Sequence, residues 1–124
     1  MPIHSPLGLT GEQDATDYLK NKNFVVLERN FYVRGGEIDI ICLDGDCLVF
    51  VEVKARKENS LGKPYEAIKY TKLMKMRKVI WQYLQTHQHN HKRIRIDVVS
   101  VEYKSDLRIK NLNHYKNISI DDVQ

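Results

Sequence analysis

The chain has 124 residues, with 20 lysines and arginines against 16 acids and a net charge of +4, enough length for one domain (residues 1–124) with a real core. The modest surplus favours a polyanionic partner such as nucleic acid, while two cysteines exclude a disulfide-stapled framework and no apolar run approaches the ~20 residues that span a bilayer. With no signal peptide visible, the expectation is a cytoplasmic protein with no membrane partner and with Cys42 and Cys47 as reduced core residues.

Residues 1–9 contain two prolines and little periodicity, so they read as an irregular lead-in. A helix is predicted from Thr10 to Lys22, with Thr10 as N-cap and Ala15, Tyr18 and Leu19 as its apolar stripe. Glu12 shares that inward face. The plain reading is an exposed first-turn glutamate favoured by the helix dipole. Phe24–Tyr32 reads as the first strand. Arg34-Gly35-Gly36 turns it back, and the glycines there permit either unusual backbone angles or close approach of another backbone.

The next stretch organises the chain. Gly36-Glu37-Ile38-Asp39-Ile40-Ile41 and Val49-Phe50-Val51-Glu52-Val53-Lys54 flank Asp44-Gly45, a strong hairpin signal. A two-residue Asp44-Gly45 loop pairs Ile40 with Val49, Asp39 with Phe50, Glu37 with Glu52 and Cys42 with Cys47. Strand alternation then puts Glu37, Asp39, Glu52 and Lys54 on one face, with Ile38, Ile40, Val49, Val51 and Val53 on the other. Glu52 lies diagonally from Asp39, roughly 7–8 Å away. Crowded like charges destabilise a sheet, and carboxylates resist burial unless paired or bound to metal. Mg²⁺ or Mn²⁺ would neutralise such a cluster, and carboxylates, metal and a lysine together suit phosphodiester hydrolysis. The plain alternative is a solvated hairpin face with an incidental salt bridge. Ile41, Leu48 and Phe50 share the carboxylate face, so both faces carry apolar residues and both are expected to be covered by helices.

Ala55–Lys63 is polar and basic, with Arg56, Lys57 and Lys63, and reads as a loop beside the cluster, a phosphate clamp or an ordinary solvated loop. Pro64 suits a helix start, and a long helix is predicted over Tyr65–Gln85, with a break near Tyr70-Thr71 as an option. Leu73, Met76, Val79, Ile80, Tyr83 and Leu84 form its core stripe; Lys69, Lys72, Lys75, Arg77 and Lys78 decorate the rest. His87, His89 and His91 alternate in a segment that reads as an exposed connector ahead of metal chelation. Arg93–Val101 is predicted as a strand and Leu107–Leu112 as the last, with residues 113–124 a fraying tail.

Asp39, twelve intervening residues and Glu52-Val53-Lys54 resemble the D…ExK core of the PD-(D/E)xK nuclease superfamily. Gly36-Glu37-Ile38-Asp39 with Val49-Phe50-Val51-Glu52-Val53-Lys54-Ala55-Arg56 resembles, more closely, the uncharacterised bacterial YraN family, which is similar to archaeal Holliday-junction resolvases. Gly11-Glu12-x-x-Ala15-x-x-Tyr18-Leu19 looks like that family's first helix, and Arg95-Ile96-Asp97-Val98-Val99 like its Arg-Phe-Asp-Val-Val strand. The resemblance covers roughly residues 8–112. It implies an α/β, restriction-endonuclease-like fold, a central mixed sheet of about five strands between helices. It implies metal-dependent cleavage of DNA, including branched or structured DNA, in repair or recombination. Asp39 and Glu52 would be catalytic and metal-binding, Glu37 and Glu12 supporting ligands, and Lys54 the catalytic lysine. Arg34, Arg56, Lys57, Lys63 and Lys72 would hold nucleic acid. Tyr32 stands where many relatives have an arginine, with Arg29 and Arg34 able to compensate. Cutting two strands symmetrically takes two sites, so a C2 homodimer is expected, though no sequence feature identifies its interface. Two other classes remain open on the same fold: a non-catalytic nucleic-acid-binding module, and an interaction subunit whose acids are idle.

Overall fold

The computed structural model describes residues 4–59 and 68–119. The order of elements is α1 (Pro6–Asn21), β1 (Val25–Val33), β2 (Gly36–Asp44), β3 (Cys47–Lys57), α2 (Tyr70–Thr86), β4 (Arg93–Tyr103) and β5 (Ile109–Tyr115). The strands form one mixed sheet in chain order, β1-β2-β3-β4-β5. Only β3 and β4 are parallel, which the crossover through α2 allows; the other neighbours are antiparallel. The expected α/β class, the five strands and the flanking helices are all present. No helix among the described residues is long and apolar enough to cross a membrane.

Each helix buries one stripe on one side of the sheet. Ala15 and Leu19 of α1 pack on Ile40, Cys42, Val49 and Val99. Leu73, Met76, Val79 and Tyr83 of α2 pack on Ile41, Leu48, Phe50 and Val98. The alternation of β3 is what separates the two cores, since Val49 and Val51 face α1 while Leu48 and Phe50 face α2.

Several boundaries differ from those read in the sequence. α1 starts at Pro6, one turn before Thr10, because Ser5 caps it: its Oγ accepts the Gly8 amide at 2.9 Å, and Pro6 takes the first helical position. Residues 6–9 are therefore helical, and the Thr10 hydroxyl bonds back to the Pro6 carbonyl. The hairpin turn is Gly45-Asp46, with Gly45 at φ 60, since Asp44 pairs with Cys47. A positive φ at the first central position is what both favoured two-residue turns demand, and Gly45 supplies it. Ile40 consequently pairs with Val51 and Cys42 with Val49, a slip of two residues that keeps each residue's face but changes its neighbours.

β3 runs on through Lys57, so Ala55, Arg56 and Lys57 are strand, paired with Val101, Glu102 and Tyr103 of β4. Lys63 and Pro64 lie outside the described residues; Ile68 and Lys69 precede α2, which begins at Tyr70. His87 stacks on Tyr83 and His89 Nε2 bonds its hydroxyl, so this connector is packed onto the helix end.

β5 includes residues 113–115, where a tail was expected. Asp97 explains why. It is fully buried, takes two hydrogen bonds from Arg95, one from His114 Nε2 at 2.7 Å and one from the Asn117 amide. Burial alone would raise its pKa; the bonds from His114, Arg95 and Asn117 prevail and hold it below the ordinary value. Arg95 also reaches Asp44 at 3.0 Å. This cluster pins β5 and the turn end of the hairpin to β4.

Gly11 sets the depth of α1. A Cβ there would lie 2.6 Å from the Ala55 Cβ, an atom that cannot swing aside. Gly11→Ala is expected to lower stability by about 1–3 kcal/mol despite alanine's better helix propensity. Denaturant unfolding measures this; a mutant at least as stable as the parent would mean α1 does not sit this close.

Candidate active site

β2 and β3 part company at one end. Their ladder stops at Ile40–Val51, yet β2 continues back to Gly36 and β3 on to Lys57. The parting coincides with a reversal in β2. Ile38 belongs to the α2-side core and Ile40 to the α1-side core, although two residues of a regular strand share a face. Asn30 of β1, opposite Asp39 in the register, has φ 54, so the irregularity spans both strands. The expectation that Ile38 and Ile40 share a face is corrected accordingly. Asp39 at the reversal turns toward β3, and its Oδ2 accepts the Val53 amide at 2.8 Å.

The fork gathers charge from both sides of the sheet. On the α2 side Glu52 is only 8% exposed, and Lys72 Nζ lies 3.4 Å from its Oε2. Lys54 is the second cation acting on Glu52. On the α1 side Glu12 is 2% exposed, with Arg29 at 3.9 Å from Oε1 and His4 Nδ1 at 3.5 Å from Oε2. His4 Nε2 is 3.2 Å from Glu37 Oε2. Glu37 thus meets the α1 side while Glu52 meets α2, and the expected common face for the two does not hold, because of the reversal at Asp39.

Asp39 couples the two halves. Burial first, then the Asp39 charge, raises the pKa of Glu12; burial and Asp39 push Glu52 up to about 7. Asp39 is raised by burial and by Glu37, against the Val53 amide bond that lowers it. Asp39 is thus within electrostatic reach of Glu12, Glu37 and Glu52, while Lys72 acts on both Asp39 and Glu52 and Lys54 on Glu52.

The remaining residues fall less evenly. Arg34 is exposed in the β1–β2 turn and Lys57 at the end of β3. Arg56 lies 3.9 Å from Glu102, and Lys63 is outside the described residues. His4 and Asn30, whose side chain hydrogen-bonds Glu12, went unnoticed in the sequence. His4 stands in a segment without periodicity, so no local signal could have found it. Asn30 could have been suspected only as an asparagine interrupting a β-branched and aromatic run, a residue type that tolerates positive φ.

Glu12 Oε1, Glu37 Oε2 and Glu52 Oε2 are hidden from solvent and make no well-formed hydrogen bond, their nearest basic neighbours being Arg29 at 3.9 Å, His4 at 3.2 Å and Lys72 at 3.4 Å. Buried, unbonded carboxylate oxygens are costly, and hard divalent cations are their natural ligands. Among the described residues no three His, Cys, Asp or Glu side chains converge closely enough to hold an ion as they stand. Lys72 instead lies against Glu52, and His4 between Glu12 and Glu37. The donor chemistry of these carboxylates suits Mg²⁺ or Mn²⁺, which would take the places that Lys72 and His4 hold in this structure.

Glu52 gives this electrostatics a testable sign. Its pKa is about 7 in the fold against an ordinary 4.5, so the folded state holds the proton more tightly than the unfolded chain. Its favourable contribution is complete below pH 4.5 and is lost as pH rises through 7. In the absence of metal, Glu52→Gln should therefore be more stable than the parent above pH 7, by about 1–3 kcal/mol, and lose that advantage toward pH 4. Thermal melts across this range decide it. A mutant less stable at pH 8 would make Glu52 a structural partner of Lys72.

Residues 11–101 match the model of the uncharacterised protein family UPF0102, a span that holds Glu12, Asp39, Glu52, Lys54 and Lys72. A UPF0102 protein of Carboxydothermus hydrogenoformans is 38% identical over 112 residues, 90% of this chain and 93% of its own. That of Pelotomaculum thermopropionicum is 40% identical over 111 residues, 90% of this chain and 92% of its own. That of Paenarthrobacter aurescens is 44% identical over 95 residues, 77% and 78% of the two chains. The family resemblance read from the double motif is borne out, and the chain belongs to UPF0102.

Proposed function

We propose that the chain is a metal-dependent endonuclease that hydrolyses phosphodiester bonds in DNA, branched or structured DNA included, and that it acts in the cytoplasm in repair or recombination. One observation carries the reading: buried Glu12, Asp39 and Glu52, from α1, β2 and β3, are crowded at the sheet's fork, where burial and their mutual charges raise all three pKa values, with Lys72 and Lys54 acting on Glu52. A single structural ion pair does not account for neighbouring acids whose burial and mutual repulsion raise the pKa of Glu12, Asp39 and Glu52, and a bound cation would relieve that repulsion.

Asp39 and Glu52 would hold the Mg²⁺ or Mn²⁺, with Glu12 and Glu37 supporting from the α1 side. When bound, such a cation lowers the pKa of water and polarises a phosphoryl oxygen. The chain's own residues do the rest. The Val53 amide fixes one Asp39 oxygen and with it the carboxylate's place at the fork. Lys54 orients the attacking water and stabilises charge developing on the phosphoryl group. Lys72, released from Glu52, is free to pair with a phosphate beside the scissile one. Arg34, Lys57 and Lys63 hold more distant phosphates, and Arg56 joins them only if it leaves Glu102.

A second reading has its own support. The Lys72–Glu52 pair satisfies the site without metal, as a non-catalytic nucleic-acid-binding module would require. Cleavage separates the two. On duplex, flap, single-stranded and four-way-junction DNA, cutting is expected with Mn²⁺ or Mg²⁺ and lost with chelator. Asp39→Asn and Glu52→Gln should each reduce it at least ~100-fold, a ligand mattering more than its surroundings. Mn²⁺ should raise the melting temperature of the parent well above that of Glu52→Gln, since a ligand that binds only the fold stabilises it by mass action. Binding without cleavage, with no stabilisation by metal, would select the second reading.

DNA affinity should be nearly independent of sequence. If about five phosphates are contacted, log K should fall against log salt with a slope of about −4 to −5 in either reading. A flat salt titration would remove nucleic acid as the partner.

A further inference from the structure

α2 and its cap carry Lys69, Lys72, Lys75, Arg77 and Lys78, and no acid lies between Lys69 and Thr86. Lys72, Lys75, Lys78 and Trp81 recur at a single spacing of three. Residues three apart on a helix are neighbours, each displaced ~60° around the axis from the last. From Lys72 to Trp81 the row therefore turns about 180° and climbs about 14 Å. It begins at the fork, where Lys72 lies 3.4 Å from Glu52. It crosses the outer surface of α2 through Lys75 and Lys78, both exposed, and ends at Trp81, 64% exposed. Beside the indole ring is a hollow of about 400 Å³ walled by Ile80, Leu84, Ile96 and Ile118, with Arg77 and Asn117 in its lining. Among the described residues no acid lines it.

An exposed aromatic beside an apolar hollow marks a binding surface, and a row of cations leading to it selects an anionic ligand. We propose that this row carries one unpaired strand of DNA away from the fork, with phosphates on Lys75 and Lys78 and a base stacked on Trp81 over the hollow. Resting on the reading of the fork as a nuclease site, this path narrows the substrate to DNA with an unpaired arm beside the bond that is cut. At the radius of the side chains, successive members of the row are about 7 Å apart, the length of one extended nucleotide. A duplex cannot follow them. Its bases are already stacked on one another, and with a persistence length of ~50 nm it does not wind half a turn around a helix ~11 Å wide. A single strand bends freely, and each of its bases has a face open to an aromatic ring. Arg77, at the edge of the hollow, adds a planar cation that stacks on a base as well as pairing with a phosphate. An acidic protein segment would answer the lysines, but it has no reason to begin at the fork.

Trp81 is the chain's single tryptophan, so its emission reports contact with a base directly. The full chain is titrated in chelator, where metal-dependent cutting is off. The probes are a duplex with a single-stranded tail, the same duplex with blunt ends, and polyglutamate. The tailed duplex should quench the emission, the blunt duplex should bind with little quenching, and polyglutamate should leave the emission unchanged. Anisotropy of labelled DNA should show Trp81→Ala binding the tailed duplex at least ~5-fold more weakly, with less than ~2-fold change on the blunt one. Trp81→Phe, which keeps a ring, should recover most of that loss. Lys75→Gln combined with Lys78→Gln should lower the salt slope on the tailed duplex by about 1.4, two phosphates at ~0.7 each. Saturation by the tailed duplex with unchanged emission overturns the proposal. So does a Trp81→Ala variant that loses nothing specific to the tail, or polyglutamate that quenches as strongly as DNA. A chain that meets these expectations and never cuts keeps the strand path and loses the nuclease. One that cuts with Mn²⁺ yet shows no quenching loses the path alone, and one that binds no DNA loses both.

Discussion

The hydrogen bond from the Val53 amide to Asp39 Oδ2 is the contact on which the site depends. In a continuous ladder that amide would bond a backbone carbonyl of β2, and the two strands would stay closed. Here a side chain takes the place of the carbonyl. The strands separate, and the alternation of β2 reverses at the same residue. A closed hairpin would keep Glu37, Asp39 and Glu52 on one face, out of reach of α1. The open fork lets α1 contribute Glu12 and α2 contribute Lys72 to a single cluster.

Two glycines let the helices come close enough to do this. Gly11 admits α1 against Ala55 and Val53 of β3. Gly36 does the same for α2, since a Cβ there would lie 2.9 Å from Val79 Cγ2. Gly35, at φ 100, serves the turn itself, so the adjacent glycines have separate reasons. The other end of the sheet is built for rigidity. Asp97, Arg95, His114 and Asp44 tie the hairpin turn, β4 and β5 into a buried network with its hydrogen bonds satisfied. At one end Asp97 is held below the ordinary carboxylate range by its hydrogen bonds, while at the other burial and mutual charge push Glu12, Asp39 and Glu52 up, and that contrast is the strongest physical reason to read the fork as a site.

Much of this was legible in the sequence, and the failures have definite causes. Residues 47–54 alternate regularly, so the two cores and the neighbourhood of Glu52 and Lys54 followed from period two alone. The two-residue slip in register went unseen because Asp-Gly marks a turn without saying which residue of it must have positive φ; Gly45 had to be first. The reversal at Asp39 was not legible. It coincides with the positive φ of Asn30 across the strand pair, and no local pattern in β2 encodes it. His4 was missed because it acts through position, brought to Glu12 and Glu37 by a helix that starts a turn earlier than Thr10 suggested.

The account turns on whether the fork takes a divalent cation in place of its lysine. Anomalous scattering from crystals of the parent chain grown with Mn²⁺ tests this most directly. A peak between Asp39 and Glu52, with the Lys72 ammonium displaced from Glu52, is the predicted result. Density in which Lys72 still occupies Glu52 and no peak lies at the fork, at a Mn²⁺ concentration that other carboxylate sites readily bind, would contradict it.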